Sequence, residues 1–420
     1  MKACPSCQRL FPDDGSYCPI DGERLLSVAE APVPTDADDP RVGKAFCGGR
    51  YQIRRVVADG GTGRVYQALD LKESRSVALK ILHTDVVSDE IALHRFRREF
   101  EVSSALLHDH IIKVFAFERT EDQSFALVME YLEGEELRSL LKREKTLPPE
   151  RVIRMVSQLA LGLAAAHARK VVHRDLKPDN VFLVGTREGD QVKILDFGSV
   201  RDNSEGAKKL TAIGTTIGSP FYMSPEQAQA LPTLDHRADI WSIGAIIYEC
   251  LAGTVPFRGT TGPAILLAIL TDELMPPSVV RSSVPRILDP VMARSMTKEP
   301  EARTATAAQL ADEFGHAYGL TGDHQEWAYV AQEELAERIA AGLPGALTAH
   351  DEATAARGEP PGKPADASDE LFRAGSLGGP VAFQDDLVMG MPRPMARWLV
   401  PTVATAAVLV GVVIAFLIAR

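Results

Sequence analysis

Four polar residues in one short stretch constrain this chain more than any other feature of its sequence. They are Asp175, Lys177, Asn180 and Asp196, and the last of them opens an Asp-Phe-Gly sequence. Asp175 can accept the proton of an attacking hydroxyl, and Lys177 can neutralise charge on a phosphoryl group in transfer. Asn180 and Asp196 can hold a magnesium ion. Each short motif recurs by chance, but the whole order, with a lysine-ending strand before it and a Ser-Pro-Glu sequence after it, predicts a site for magnesium and ATP.

A glycine-rich turn lies upstream, between two strand-like runs. Residues 57–66 read Val-Ala-Asp-Gly-Gly-Thr-Gly-Arg-Val-Tyr. Glycines let backbone N–H groups approach phosphate oxygens closely. Alone, this sequence is more typical of a hairpin turn. The apolar run that ends at Lys80, and Glu99 on the helical stretch that follows, favour a phosphate loop, because a lysine oriented by a carboxylate can hold the α- and β-phosphates.

The order of strand-like and helix-like segments indicates the fold class. Strand-like runs at 51–57, 64–69 and 76–82 come first, and helix-like runs at 150–167 and 238–251, with apolar residues at helical spacing, come later. Strands followed by helices predict a two-lobed α+β protein.

Residues 51–319 resemble the protein kinase catalytic domain, and more narrowly the bacterial eukaryotic-like (Hanks-type) serine/threonine kinases. The motifs that carry the resemblance are Val77-Ala78-Leu79-Lys80, Glu99, residues 127–132, His173 to Asn180, Asp196-Phe197-Gly198, Ser224-Pro225-Glu226, residues 239–244 and Arg303. The resemblance implies a bilobal fold with a β-rich N-lobe and a helical C-lobe. It also implies transfer of the γ-phosphoryl group of ATP, with Mg²⁺, to Ser/Thr hydroxyls of proteins. Lys177, two residues after Asp175, matches the serine/threonine class rather than the tyrosine class.

The same resemblance assigns roles to individual residues. The implied catalytic residues are Asp175, Lys177, Lys80 and Glu99. The implied nucleotide contacts are Val57, Gly60, Gly61, Gly63, Val65, Ala78, Lys80, Glu130, Leu132, Asn180 and Asp196, of which Asn180 and Asp196 would hold Mg²⁺. Met129 would be the gatekeeper, and Glu130 and Leu132 would offer backbone groups to adenine. Asp239 would support the catalytic loop, and Arg303 would pair with Glu226.

Three positions depart from the family pattern. Ala58 stands at the first loop glycine, where its methyl group would crowd the nucleotide or stiffen the turn and so change ATP affinity but not the chemistry. Ser224 replaces the usual alanine, and Ser219 replaces a threonine without loss of the hydroxyl. Ala58 is the sole support for an alternative of another class, a pseudokinase scaffold. A small-molecule kinase is disfavoured by the activation segment 196–226.

The activation segment contains predicted phosphorylation sites. In the family, an arginine at the position of Arg174 binds a phosphate on this segment. Thr211 and Thr215 precede Ser219 at the spacings that relatives use, so these two threonines are the predicted phosphosites. Autophosphorylation between associated copies is expected.

The first residues of the chain predict a small metal-binding unit, 1–25. Cys4 and Cys7 form one Cys-Pro-x-Cys knuckle, and Cys18 with Asp21 forms a second. Four such ligands suit tetrahedral zinc, and so short a unit cannot fold on its core alone. We expect a zinc-ribbon-like module; the alternative is a reduced-cysteine turn without metal.

The segments that flank the catalytic region are predicted from composition and capping signals. Residues 26–50 are rich in Pro and Asp and predict a linker. Asp323 can cap a helix in the extension 320–343, with a stop at Pro344. This helix is expected to pack on the globular domain; a partner-binding helix is the alternative. Residues 344–397 are rich in Pro, Gly and Asp and predict a flexible tether.

Residues 398–419 carry no charge and are long enough to span a bilayer. Arg393 and Arg397 precede them, as is typical of a cytoplasmic flank, and Trp398 suits the interface. We therefore expect a single-pass protein of the bacterial cytoplasmic membrane, with its catalytic region in the cytoplasm and no extracellular sensor. The net charge of −11 argues against nucleic-acid partners. Protein substrates are what the resemblance to the kinases implies.

Overall fold

The N-terminal residues form a small antiparallel sheet of their own. The computed structural model of the chain describes residues 2–5, 10–11, 15–18, 22–27, 39–60, 63–83, 90–197 and 220–356. Strands β1 (Lys2–Ala3), β2 (Leu10–Phe11) and β3 (Leu26–Ser27) pair in the order β2-β1-β3. Cys4, Cys18 and Leu25 are buried together beside them. Because β3 belongs to this sheet, the unit extends at least to residue 27, beyond the predicted end at residue 25.

Six antiparallel strands form the sheet of the N-terminal lobe. They are β4 (Ala45–Phe46), β5 (Tyr51–Asp59), β6 (Gly63–Asp70), β7 (Arg75–Leu82), β8 (Val114–Arg119) and β9 (Phe125–Glu130), in the order β4-β5-β6-β7-β9-β8. Helix α1 (Glu90–Ala105) packs against β8 through Phe96, Phe100 and Phe117. The three predicted strand runs are confirmed, and each strand is one to a few residues longer than predicted.

The predicted linker 26–50 is wrong for its second half. Residues 39–50 belong to the N-terminal lobe, where β4 pairs with the start of β5. Val42 and Phe46 are buried with Tyr51 on one face of the sheet. The linker was predicted from the Pro- and Asp-rich composition of the preceding residues, and that composition gave no indication that Val42 and Phe46 are buried.

The C-terminal lobe is helical, with a small sheet at its edge. Its helices are α2 (Leu137–Glu144), α3 (Pro149–Ala168), α4 (Pro225–Ala228), α5 (Arg237–Ala252), α6 (Gly262–Thr271), α7 (Pro277–Val280), α8 (Asp289–Ser295) and α9 (Ala307–Ala317). Strands β10 (Glu135–Glu136), β11 (Val181–Thr186) and β12 (Gly189–Ile194) form the sheet. The two predicted helices match α3 and α5 closely. Both are buried on nearly all sides, as is typical of helices in the core of a helical lobe.

Two helices, not one, form the C-terminal extension: α10 (His324–Trp327) and α11 (Gln332–Ala356). Asp323 caps α10 as predicted, accepting the N–H groups of Gln325 and Glu326. The predicted packing on the domain is confirmed, since Trp327, Leu335 and Ile339 are buried in the core of the C-terminal lobe.

The predicted stop at Pro344, and the tether predicted to begin there, are wrong as far as residue 356. Pro344 lies inside α11. A proline removes one N–H and crowds the preceding turn, but the turns before it are docked, and the alanine-rich sequence after it has high helix propensity. No helix in the described part of the chain is long and apolar enough to cross a membrane. The predicted span 398–419 lies outside that part.

Candidate active site

Lys80 lies at the centre of the site, on β7, between two carboxylates. Its Nζ is 3.1 Å from Glu99 Oε1, on α1, and 3.2 Å from Asp196 Oδ1, just after β12. Lys80 and Glu99 are largely buried, whereas the Asp196 side chain is 48% exposed. The predicted lysine–glutamate pair is present, and Asp196 joins it from the C-terminal lobe.

The two carboxylates that share the Lys80 ammonium have pKa values shifted in opposite directions. Burial raises the pKa of Glu99 to about 7, against the opposing charge of Lys80. The charge of Lys80 lowers the pKa of Asp196, with burial opposing it. Burial acts to lower the pKa of Lys80, but Asp196 and Glu99 together raise it. The lysine is therefore a fixed positive charge, and Glu99 is the group that titrates near neutral pH.

The catalytic loop places Asp175 beside two of its predicted partners. Lys177 Nζ donates to Asp175 Oδ2 (2.8 Å). Asn180, at the end of the short 3₁₀ turn Pro178–Asn180, donates from Nδ2 to the Asp175 carbonyl (2.7 Å) and lies 3.3 Å from Oδ2. The structure thus brings together the predicted base, the predicted cation and one predicted metal ligand.

The site residues fit a magnesium ion. Because Asn180 Nδ2 donates to the Asp175 carbonyl, the amide oxygen is the atom that Asn180 can offer to a cation. Asp196 adds carboxylate oxygens on a half-exposed side chain. Mg²⁺ prefers oxygen ligands and is usually held by one or two such side chains together with substrate phosphates.

Asp239 supports the catalytic loop through hydrogen bonds to its backbone, as predicted. It is fully buried and accepts the backbone N–H groups of His173 and Arg174, both at 2.9 Å. His167 Nε2 lies 2.8 Å from Oδ2. Burial alone would raise the pKa of Asp239, but the hydrogen bond and charge of His167 outweigh it and lower the pKa. This carboxylate holds Arg174 in a left-handed conformation (φ 66°).

The walls of the nucleotide cleft come from the N-terminal sheet. Ala78 and Met129 are paired across β7 and β9 and are buried in one cluster, with Val65 packed against it. The Glu130 N–H donates to the Lys113 carbonyl (2.9 Å). Glu130 can therefore offer its carbonyl, and not its N–H, to a base. Val57 is exposed at a bulge in β5, and Leu132 follows β9 and is partly buried.

The glycine-rich turn closes with a hydrogen bond from Gly60 N–H to the Gly63 carbonyl (3.1 Å). Gly63 is required for packing, because a Cβ there would overlap the Ile81 carbonyl of β7. Ala58 is exposed and pairs with Val65. Gly61 lies outside the described residues.

Glu226 and Arg303 form the predicted pair, fully buried, with two parallel contacts of 2.7 and 2.6 Å.

Ser224, which stands where the family usually has alanine, forms hydrogen bonds of its own. Its backbone N–H and its hydroxyl both donate to Gln227 Oε1, each at 3.1 Å. Gln227 Nε2 donates to the Arg174 carbonyl (2.6 Å), so α4 holds the catalytic loop. The Ser-x-x-Gln capping signal in the sequence indicates the contact between Ser224 and Gln227, but not the contact of Gln227 with Arg174.

His173 has a structural role that the sequence did not reveal. Its Nε2 lies 2.8 Å from the Leu195 carbonyl, and its ring meets Phe197 edge-on at 4.8 Å. It therefore links the catalytic loop to the residues on both sides of Asp196.

Several predicted residues lie outside the described residues: Cys7, Asp21, Thr211, Thr215 and Ser219. Cys4 and Cys18, the other two predicted zinc ligands, are buried together. Among the described residues, no three His, Cys, Asp or Glu side chains form a group that could hold a metal ion.

A strand-rich lobe and a helical lobe, with these charged residues at their junction, define a nucleotide cleft of the kinase type. The profile of the family described as protein kinase domain matches residues 51–314. The chain therefore belongs to the protein kinase domain family.

Curated relatives and solved structures agree with this assignment. The chain is 37% identical over 278 residues to serine/threonine-protein kinase pkn3 of Myxococcus xanthus, covering 65% of this chain and 50% of the relative. It is 35% identical to PknH of Mycobacterium tuberculosis, covering 66% and 43%. The chain spans about half the length of these relatives. The crystal structure of the Mycobacterium tuberculosis PknI kinase domain shares the fold, with a TM-score of 0.50, 24% identity, and coverage of 64% of this chain and 95% of that one.

Proposed function

We propose that this chain is an active serine/threonine protein kinase, which transfers the γ-phosphoryl group of ATP to Ser or Thr hydroxyls of proteins. The observation that carries the proposal is Lys80 held between Glu99 and Asp196, together with Asp175 held by Lys177 and Asn180. The names of the curated relatives add support for the serine/threonine class.

Each charged residue has a defined task in this reaction. Asp175 orients the acceptor hydroxyl and takes its proton, and Lys177 offsets charge on the phosphoryl group. Lys80, fixed by Glu99, binds the α- and β-phosphates. Mg²⁺, when held by Asn180 and Asp196, would neutralise the phosphate oxygens. The rate acceleration comes from positioning and electrostatics, without a covalent enzyme intermediate.

A phosphorylation assay separates this proposal from its two alternatives. Purified protein with Mg²⁺ and ATP should label peptides that contain Ser or Thr, and leave matched peptides with Tyr or Ala unlabelled. A pseudokinase scaffold predicts no transfer at all. A small-molecule kinase predicts transfer to small alcohols only, and either result would contradict the proposal.

We also propose that phosphate on Thr211 or Thr215 activates the enzyme by pairing with Arg174. The position of Arg174 beside Asp175, anchored by Asp239, supports this. Mass spectrometry of the active enzyme should find phosphate at one of the two threonines. An unmodified segment in active enzyme, together with full activity of the double Thr→Ala variant, would refute it.

The N-terminal module is proposed to bind one zinc ion through Cys4, Cys7, Cys18 and Asp21. The burial of Cys4 beside Cys18 supports this proposal. Elemental analysis of anaerobically purified protein should find about one zinc per chain, lost on Cys4→Ser with Cys7→Ser. Asp21→Cys should tighten zinc binding because thiolate is the softer ligand. Protein purified without metal would contradict the assignment.

We further propose that residues 398–419 anchor the chain in the bacterial cytoplasmic membrane, with the catalytic domain on the cytoplasmic side. The support is the uncharged sequence and its basic flank at Arg393 and Arg397. Anchored copies would meet at high local concentration and phosphorylate one another.

A further inference from the structure

A buried carboxylate joins the start of the N-terminal lobe to the phosphate loop. Asp39 Oδ2 accepts hydrogen bonds from the Tyr66 hydroxyl (2.8 Å) and from Arg64 Nη1 (2.7 Å). Its Oδ1 accepts the Arg41 backbone N–H (2.9 Å). Burial alone would raise the pKa of Asp39, but the hydrogen bonds from Arg64 and Arg41 outweigh it and lower the pKa. Asp39 is therefore charged at neutral pH.

Arg64 extends this contact to the end of β5, where the loop begins. Its Nε donates to Asp59 Oδ2 (2.8 Å), and the two residues face each other across the turn. Asp59 directly precedes Gly60. His83, just after β7, places Nε2 2.9 Å from the Gly60 carbonyl and 3.2 Å from Asp59 Oδ1. Side chains from three segments thus hold the loop.

These contacts lie on the face of the sheet away from the nucleotide. Val65 packs on the cluster of Ala78 and Met129, which lines the cleft. Side chains alternate along a strand, so Arg64 points to the opposite face, where the Tyr66 ring is buried. Arg64 therefore acts on the nucleotide through the backbone of the loop.

We propose that Asp39 is a positioning residue of the ATP site: through Arg64 and Asp59 it sets the position of the phosphate loop over the cleft. This inference rests on the proposed kinase function.

The proposal predicts a particular kinetic signature. Asp39→Asn removes the charge and keeps an acceptor for Tyr66. The dissociation constant for Mg-ATP and the KM for ATP should rise about three- to tenfold. The kcat should stay within about twofold, because Asp175 and Lys177 are untouched. A residue that served stability alone would not separate KM from kcat.

The chain offers a closely matched control at the other end of the same hairpin. Arg50, just before β5, pairs with Asp70 at the end of β6 at 2.8 Å, with side-chain exposures of 32% and 1%. The Arg64–Asp39 pair has a nitrogen–oxygen distance of 2.7 Å and side-chain exposures of 31% and 4%. Asp70→Asn should therefore lower stability to a similar extent and leave nucleotide affinity unchanged.

The test uses the full chain, titrated with a fluorescent ATP analogue and Mg²⁺ and then assayed on a Ser/Thr peptide. The inference predicts weaker binding for Asp39→Asn, wild-type binding for Asp70→Asn, and no further loss when Asp39→Asn is added to Arg64→Gln. Unchanged affinity in Asp39→Asn, or an equal loss in Asp70→Asn, would overturn it. A wild-type protein that binds no analogue would overturn the proposed function itself.

Discussion

At the scale of single residues, the site depends on one lysine that serves two carboxylates. Lys80 can neutralise only one unit of negative charge, so one of Glu99 and Asp196 must be the weaker partner. The buried residue, Glu99, has the raised pKa of about 7. ATP binding should therefore respond to pH through the group that orients the lysine.

Lowering the pH through about 7 should weaken Mg-ATP binding. Glu99 is neutral below its pKa, and a neutral carboxyl group no longer forms an ion pair with Lys80. In Glu99→Gln the side chain cannot titrate, so the binding constant should change with pH only as the nucleotide itself titrates. Isothermal titration across this range measures both; identical pH profiles for the two proteins would contradict the assignment.

Glu226→Gln should lower the free energy of unfolding by about 3–5 kcal/mol, because it leaves the buried Arg303 guanidinium without a counter-charge. The control is Glu313→Gln, which breaks a partly exposed pair with Arg294 and should cost less than about 1 kcal/mol. Urea unfolding measures both values. Equal losses would show that burial does not determine the strength of the pair.

The charged site residues could be predicted from the sequence because phosphoryl transfer restricts residue type at each position. Their supporting partners could not. His173 meets Phe197, and Gln227 holds the Arg174 carbonyl, only after distant segments have folded together. The contact of His83 with the Gly60 carbonyl also forms only after the strands of the sheet have come together.

At the scale of elements, periodicity predicted helices α3 and α5 and the three strands around the loop. It was less informative for β4, which has only two residues, and for α11, where Pro344 suggested a stop. Helix α11 continues through Pro344 because the preceding turns are packed against the C-terminal lobe. Gly342 contacts Gly319 so closely that a Cβ on either would overlap the other backbone.

Two alanine substitutions in α11 should have opposite effects. Gly342→Ala should destabilise the domain by about 1–3 kcal/mol, through overlap with the Gly319 carbonyl. Gly345→Ala meets no atom within 4 Å and should stabilise by about 0.5–1 kcal/mol. Thermal unfolding followed by circular dichroism compares them. Unchanged or raised stability in Gly342→Ala would contradict the docked position of α11.

At the scale of the whole molecule, the proposed chain joins a zinc module, a kinase domain, a tether and a membrane span. The zinc module, the tether and the span stay predictions, made from cysteine spacing, composition and hydropathy, whereas the catalytic domain is supported by its motifs and by the family match. That residues 39–50 belong to the N-terminal lobe could not be predicted, because it depends on the burial of Asp39 and Val42 against the sheet.

Removal of residues 397–420 should move the protein from the membrane fraction to the soluble fraction and slow autophosphorylation at low enzyme concentration. Leu409→Arg with Val413→Arg is a control that keeps the length; each arginine should cost about 2.5–3.5 kcal/mol at the centre of a span. Fractionation of lysed cells measures both. Unaltered protein in the soluble fraction, or released by carbonate, would contradict anchoring.

The most direct test of the central claim is the rate of phosphoryl transfer in Asp175→Asn. Asparagine keeps the shape of the side chain but cannot take the proton of the acceptor hydroxyl. Transfer to a Ser/Thr peptide should fall by at least about 100-fold, while the dissociation constant for Mg-ATP stays near the wild-type value. Transfer at the wild-type rate would show that Asp175 is not the base and that the proposed mechanism is wrong.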